Sequence, residues 1–406
     1  MSIDVTTVPP PRGLTRPALP EVFVHACAQI HRSAAAIWPG QPVTLAQHVP
    51  SVTGYVHRVR VAERTLYAKT SLLGVSLVSL LRGKCGDWAS VREEQQQYVQ
   101  RSDSLLKREA LQLRVLAGLG GPRVCPWAGT RDGVIFTEAV PGPTLGDLLI
   151  AQPGETSNLV GRCLAELRPL HRPGAARELG RAGVISERSI DGTFLRKFAG
   201  KDAAAYVVEL GAEQWRGESD MVAELVRVSV RRLLALRETL PGTAGTSLAY
   251  GDLKPEHVLY PDGPDGRPVL LDPGLLRASP MVDVAKLLSR TVLLLAGRRI
   301  APADARLILD GLATVARAQA RHLSLSDRRS WLRHVLVLWL MDTLNILTTY
   351  LSAPAALPLP GIGVALLKRA VPVCSLVDAV SADLMDPAGR RGRGDRTLAR
   401  IAEAIA

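Results

Sequence analysis

SLAYGDLKPEHVLYPDGPDGRPVLLDPGLL, residues Ser247 to Leu276, fits three apolar runs and two abrupt polar turns into thirty residues. The runs Ser247–Ala249, Val258–Tyr260 and Pro268–Leu271 are bounded by Gly, Asp and Pro and are too short for helices, so they read as short strands. The first turn, DLKPEH, starts at Asp252 and closes on His257; the last run stops at Asp272-Pro273-Gly274. Two carboxylates and an imidazole are therefore presented at strand ends. Such a set suits phosphoryl transfer, in which one carboxylate orients and deprotonates a hydroxyl while oxygen and nitrogen ligands hold Mg²⁺ on nucleotide phosphates. The protein's part in that chemistry is mostly positioning and charge neutralisation.

Working outward, the flanks are helical on the C-terminal side and mixed on the N-terminal side. Residues 1–19, Pro-rich and without an apolar signal-like core, are expected to be a disordered tail. A helix is expected from Glu21 to Trp38, stopped by Pro39-Gly40. GYVHRVRVAERTLYAKT, Gly54 to Thr70, alternates twice around a polar turn and reads as strand, turn, strand. Ser104 to Leu119 reads as a helix ended by Gly120-Gly121-Pro122, and Gly133 to Val140 as a further strand. Thr144 is placed to N-cap the next helix, with Asp147 at its third position. The expected organisation is α+β and two-lobed: an N-lobe over residues 20–140, including an extra segment 71–103; a larger, mostly helical C-lobe over 141–386; and a basic tail over 387–406.

Composition narrows the field. The chain has 406 residues, is 47% hydrophobic and 22% charged, and so has ample material for a core without disulfides or structural metal. Its five cysteines are scattered, with no CxxC pair, which fits a reducing cytoplasm. The formal charge of +12 raises nucleic acid or anionic membrane as partners. No basic run with interleaved aromatics, zinc finger or RNA-binding signature accompanies it, so no nucleic-acid partner is expected. Val335–Leu351 is the most membrane-like stretch, but Asp342 and Asn345 interrupt it. At seventeen residues it is shorter than the ~20 a span needs, so it reads as a buried core helix.

YGDLKPEHVL followed by LDPG resembles the catalytic and metal-binding loops of kinase-like phosphotransferases, and most of all the aminoglycoside and macrolide phosphotransferase group. The resemblance extends to Tyr67-Ala68-Lys69, to KREALQLRVL (Lys107–Leu116), to FTEAVPGPTL (Phe136–Leu145) and to DVAKLLSR (Asp283–Arg290). It implies a protein-kinase-like fold with a strand-rich N-lobe and a helical C-lobe. Asp252 is then the catalytic base, and Lys254 a stabiliser of the transferred phosphoryl group. Asp272 and His257 become the Mg²⁺ ligands, with His257 standing where most relatives carry Asn. Lys69 is expected to reach the nucleotide phosphates of ATP or GTP, paired with Glu109. That glutamate falls on the apolar face of its helix, where an unpaired carboxylate is costly; Glu93 and Glu94 are the fallback partners. The Glu138 carbonyl and the Val140 N–H are expected to meet the nucleobase, and Asp283 to brace the catalytic loop. The single Gly54 is only a weak substitute for the usual glycine-rich loop and reads as a lone turn glycine, and segment 71–103 lengthens the spacing from Lys69 to Glu109 beyond the usual.

DLKPE is shared with Ser/Thr protein kinases. Here Gly251 precedes the catalytic Asp, where regulated protein kinases usually carry Arg, and only about ten residues separate Asp272 from Asp283, too few for an activation loop. The expectation is thus an open cleft for a small hydroxylated molecule, such as an antibiotic or related natural product, in a chain compatible with a homo-oligomer. On the substrate side, Glu213, Glu218, Asp220 and Glu224 read as a solvated helix face, whereas Asp342 needs a partner, from the protein or from a ligand. The aliphatic runs around it suggest a partly apolar acceptor. Two alternatives stay open: a catalytically weak nucleotide-binding scaffold, and a protein kinase.

Overall fold

A computed structural model describes residues 16–181, 183–185, 188–200, 203–207, 218–240, 247–298, 300–386 and 393–405. The N-terminal part is built on an antiparallel sheet of five strands: β1 (Val43–Val49), β2 (Tyr55–Val61), β3 (Arg64–Thr70), β4 (Trp127–Arg131) and β5 (Val134–Glu138), in the order β1-β2-β3-β5-β4. The alternation seen in the sequence sets its two faces. Tyr55, Val59 and Val61 of β2 join Leu66 and Ala68 of β3 and Phe136 of β5 on one face. The helix Leu19–Ile37 covers that face with Ala26, Ile30 and Ala34. Full burial of each larger aliphatic side chain there contributes about 1.5–3 kcal/mol. Lys69, between Ala68 and Thr70, consequently points to the opposite face. The β2–β3 turn is tighter than the sequence suggested, because only Ala62 and Glu63 lie between the strands; Ala62 takes a left-handed φ of 51° to close it. Strands β1 and β4 were not foreseen, since VTLAQHV and WAGTR alternate only weakly.

From Leu145 onward the chain is mainly helical, giving the two-lobed α+β plan. Thr144 and Asp147 form the expected capping box. The strand-rich island contributes two small ladders, β6 (Leu248–Ala249) with β9 (Leu276–Arg277), and β7 (Val258–Leu259) with β8 (Val269–Leu270). The helix Leu325–Leu351 is long and apolar enough to cross a membrane by length and composition, but its apolar window is wholly buried inside the fold. The apolar run VLVLWL, Val335–Leu340, is buried in the core.

Segment 71–103 folds into the short helix Leu77–Leu81 and the helix Trp88–Tyr98. It packs across the lobes: Ser79 meets the Tyr206 hydroxyl at 3.1 Å, and Arg188 donates to the Gly74 carbonyl. Gln95, buried, accepts from the Leu73 N–H at 2.7 Å and donates to the Ser71 carbonyl at 3.0 Å, fixing the segment's entry. At the other end of the chain, the helix Arg393–Ile405 buries Ile401 and Ile405 and pairs Arg400 with Asp383 at 2.8 Å.

Candidate active site

Lys69 projects from β3 towards the helix Leu105–Gly118, where Glu109 is held among Leu106, Leu113 and Leu116. The Lys69 Nζ lies 2.8 Å from Glu109 Oε1 and 2.7 Å from Asp272 Oδ1. One amine thus joins a strand and a helix of the N-lobe to the acidic residue that ends β8's loop. Burial works against the charge on Lys69, yet Asp272 and Glu109 outweigh it and raise the amine's pKa. Burial raises the Glu109 carboxyl, with Lys69 opposing. Of the residues weighed as partners for Lys69, Glu109 is therefore the one in place.

Asp272 sits at a left-handed φ of 52°, a conformation that Asp tolerates better than most residues. This turn directs one carboxylate oxygen to Lys69 and the other towards His257, whose Nδ1 is 3.6 Å from Asp272 Oδ2. The His257 Nδ1 is buried and has no hydrogen-bond partner among the described residues. Burial, reinforced by Lys254, lowers the imidazole pKa and favours its neutral form. Burial pushes the Asp272 carboxyl up, but Lys69, His257 and Lys254 prevail and hold it ionised. The Asp272 carboxylate suits Mg²⁺, which binds through one or two carboxylates and completes its shell with waters and phosphate oxygens; the His257 nitrogen is a less typical donor to that ion and fits better as a partner for one of its waters.

Asp252 opens the turn that leads into the 3₁₀ segment Pro255–His257. The backbone before it is fixed from below by Asp283, which is fully buried and accepts the Tyr250 and Gly251 N–H groups, each at 2.8 Å. His171 adds a contact to Asp283 at 3.3 Å. Gly251 is required here: at φ +87° an added Cβ would fall 2.2 Å from the Gly274 carbonyl oxygen. The buried Tyr250 hydroxyl donates to the Leu271 carbonyl at 2.9 Å.

The Asp252 carboxylate meets Lys254 at 2.9 Å and Lys286 at 3.4 Å. Burial would raise its pKa, but Lys254, Lys286 and His257 together hold it well below the usual carboxylate range. A third of the side-chain surface of Asp252 stays exposed, and as much of Asp272, so both carboxylates are partly open to solvent.

Lys286 and Arg290 were not singled out from the sequence. Their i, i+4 spacing on the helix Met281–Gly297 was the available signal. They supply the partners that Asp342 required: Lys286 Nζ lies 2.8 Å from Asp342 Oδ1, and Arg290 Nε lies 2.8 Å from Oδ2. Asp342 is therefore satisfied by the protein and presents no acid to a ligand. Glu218, Asp220 and Glu224 are exposed, as a solvated face should be, and Glu213 lies outside the described residues. At the end of β5, Glu138 donates its N–H to the Pro126 carbonyl at 2.9 Å, and its side chain pairs with Arg64. The Val140 N–H makes no hydrogen bond among the described residues.

No family model matches the chain, and no curated protein matches it. Solved structures similar in outline include an aminoglycoside-3'-phosphotransferase of type VIII, 22% identical, with 79% of this chain and 99% of that one covered and a TM-score of 0.47. A choline/ethanolamine kinase family protein from Mesorhizobium loti is 14% identical, with 93% and 99% covered and a TM-score of 0.48. An aminoglycoside 2'-phosphotransferase-IIIa, solved as its GDP complex, is 13% identical, with 87% and 98% covered and a TM-score of 0.48. At these values the likeness is one of outline, and the residue roles stand on the geometry of this chain.

Proposed function

We propose that the chain is an O-phosphotransferase that moves the γ-phosphate of ATP or GTP onto a hydroxyl of a small molecule, with an antibiotic or related natural product as the first class of acceptor to test. The observation that carries this reading is the convergence of Lys69, Glu109 and Asp272 within 2.8 Å contacts beside a braced, accessible Asp252. Lys69, charged and held from two sides, is placed to receive phosphate oxygens. The Glu138 carbonyl and the Val140 N–H, at the junction of the lobes, are the backbone groups assigned to the nucleobase. Asp272 and His257 would hold Mg²⁺, which neutralises charge on the phosphate oxygens when bound.

Asp252 receives the acceptor hydroxyl. With its pKa driven down by three neighbouring cationic or polar groups, it is a weak base before reaction and acts first as a hydrogen-bond acceptor that aims the oxygen. The proton passes to it as the new P–O bond forms and the hydroxyl becomes acidic, in keeping with a loose transition state. Lys254, 2.9 Å from Asp252, is placed to steady the phosphoryl oxygens in flight.

The test is incubation with Mg-ATP or Mg-GTP and a panel of hydroxylated compounds, read by mass spectrometry. The expected result is a phosphorylated product that is lost in Asp252→Asn while nucleotide affinity persists. Nucleotide binding with no product, unchanged by Asp252→Asn, would instead indicate a scaffold. Transfer to proteins alone would indicate a protein kinase.

A further inference from the structure

In the C-lobe the helix Pro302–Gln319 turns back into the helix Leu325–Leu351. Residues 317–333, RAQARHLSLSDRRSWLR, carry five arginines against one carboxylate around that turn, a net +4 and a third of the +12 of the whole chain. Arg317, Arg321, Arg328 and Arg329 are all exposed. So is every residue of Leu325–Ser330, which means that the first turn and a half of the second helix stands clear of the body as a tip.

Arg328 holds the tip together. Its Nε donates to the Leu323 carbonyl at 2.9 Å and a terminal nitrogen donates to the Arg321 carbonyl, so the two helix ends are tied. Arg333, at the base of the tip, donates to the Thr239 hydroxyl at 3.0 Å. These acceptors are neutral and leave the guanidinium charges uncancelled. Arg317, Arg321 and Arg329 make no side-chain hydrogen bond or ion pair among the described residues. The one acid of the stretch, Asp327, accepts from the Ser324 hydroxyl at 2.7 Å in the cap of the second helix and pairs with none of the five.

The tip also exposes an apolar side chain. Leu325 is 73% exposed and shares a helix face with Arg328 and Arg329, three and four residues on. An aliphatic side chain offers no face for base stacking. At a bilayer interface the same set is matched group for group: guanidinium groups meet lipid phosphates, and the leucine enters the apolar boundary beneath them. Each basic side chain held close to an anionic leaflet multiplies binding about fivefold.

We propose that this tip docks the chain onto an anionic phospholipid surface, with the five arginines on the headgroups and Leu325 inserted between them. Docking leaves the reacting groups free. Asp342, which holds Lys286 beside Asp252, lies thirteen residues beyond Arg329 on the same helix, about 20 Å at 1.5 Å per residue. The proposal stands independently of the phosphotransferase reading.

The test is co-sedimentation of the full-length chain with sucrose-loaded vesicles of phosphatidylcholine, alone or mixed with phosphatidylserine, over a salt series. A short DNA duplex is titrated in parallel. Binding is expected only to the phosphatidylserine vesicles and should weaken as salt rises. Arg321→Gln combined with Arg329→Gln should lower the partition coefficient about twentyfold. Leu325→Ser should lower it several-fold, a loss that persists at high salt. Arg32→Gln combined with Arg60→Gln removes the same charge from exposed N-lobe positions and should change binding less than about threefold. Unchanged thermal unfolding reports intact folding in every variant. Absence of binding to phosphatidylserine vesicles at low salt, equal losses from the two arginine pairs, or parental binding by Leu325→Ser would overturn the proposal. Duplex bound more tightly than vesicles, and lost in the same variants, would replace the lipid surface by a nucleic acid.

Discussion

Replacing Asp342 by Asn removes one charge from a cluster of three buried groups and leaves Lys286 and Arg290 facing an amide. Breaking a buried ion pair on one side costs about 3–5 kcal/mol, because the remaining charge is desolvated without compensation. The protonation equilibrium gives an independent gauge. Burial raises the Asp342 carboxyl, but Arg290 and Lys286 more than reverse this and bring it from 3.8 to about 2. A difference of that size corresponds to about 2 kcal/mol. Because the folded value is depressed, this stability is present in full above the unfolded value of 3.8 and is lost as pH falls through about 2. Truncation should therefore cost more than protonation. Urea unfolding at pH 7 and over an acid series measures both. A further comparison separates charge from packing: Asp342→Leu combined with Lys286→Met and Arg290→Leu should recover most of the stability, since an apolar replacement of a whole buried cluster is often neutral. It should remain inactive, having lost the Lys286 contact to Asp252. An Asp342→Asn protein within about 0.5 kcal/mol of the parent at pH 7 would refute the argument that this carboxylate compensates two buried cations.

Other expectations follow from the same geometry. Glu109→Gln should reduce turnover by about a hundredfold or more with a smaller effect on nucleotide affinity, because Lys69 loses its N-lobe anchor; single-turnover kinetics separates the two. Gly251→Ala forces a Cβ towards the Gly274 carbonyl from a left-handed backbone position, so thermal stability should fall by several degrees and activity with it, as seen by calorimetry and initial rates. Asp252 is held ionised well below its ordinary range, so log kcat/KM should show no acidic limb from this residue down to about pH 5; a limb near 6–7 that disappears in Asp252→Asn would contradict that.

Much of the site could be read from the sequence because its residues sit in short local patterns. GDLKPEH and LDPG carry the turn chemistry that places Asp252, His257 and Asp272, and alternation in β3 fixes which way Lys69 points. Glu109 was legible as a carboxylate on an apolar helix face, and Asp342 as one that required a partner. The identity of that partner was not legible, because Lys286 and Arg290 approach from a helix more than fifty residues away in sequence. Strands β1 and β4 escaped notice because their order comes from pairing with β2 and β5 rather than from their own periodicity.

The Lys69 ammonium has three protons to give, and two are already committed, one to an N-lobe acid and one to a C-lobe acid. The third is the donor left for a newcomer. Since the two committed acids ride on different lobes, this single amine ties the lobes together, and any displacement of one against the other must break one of its contacts.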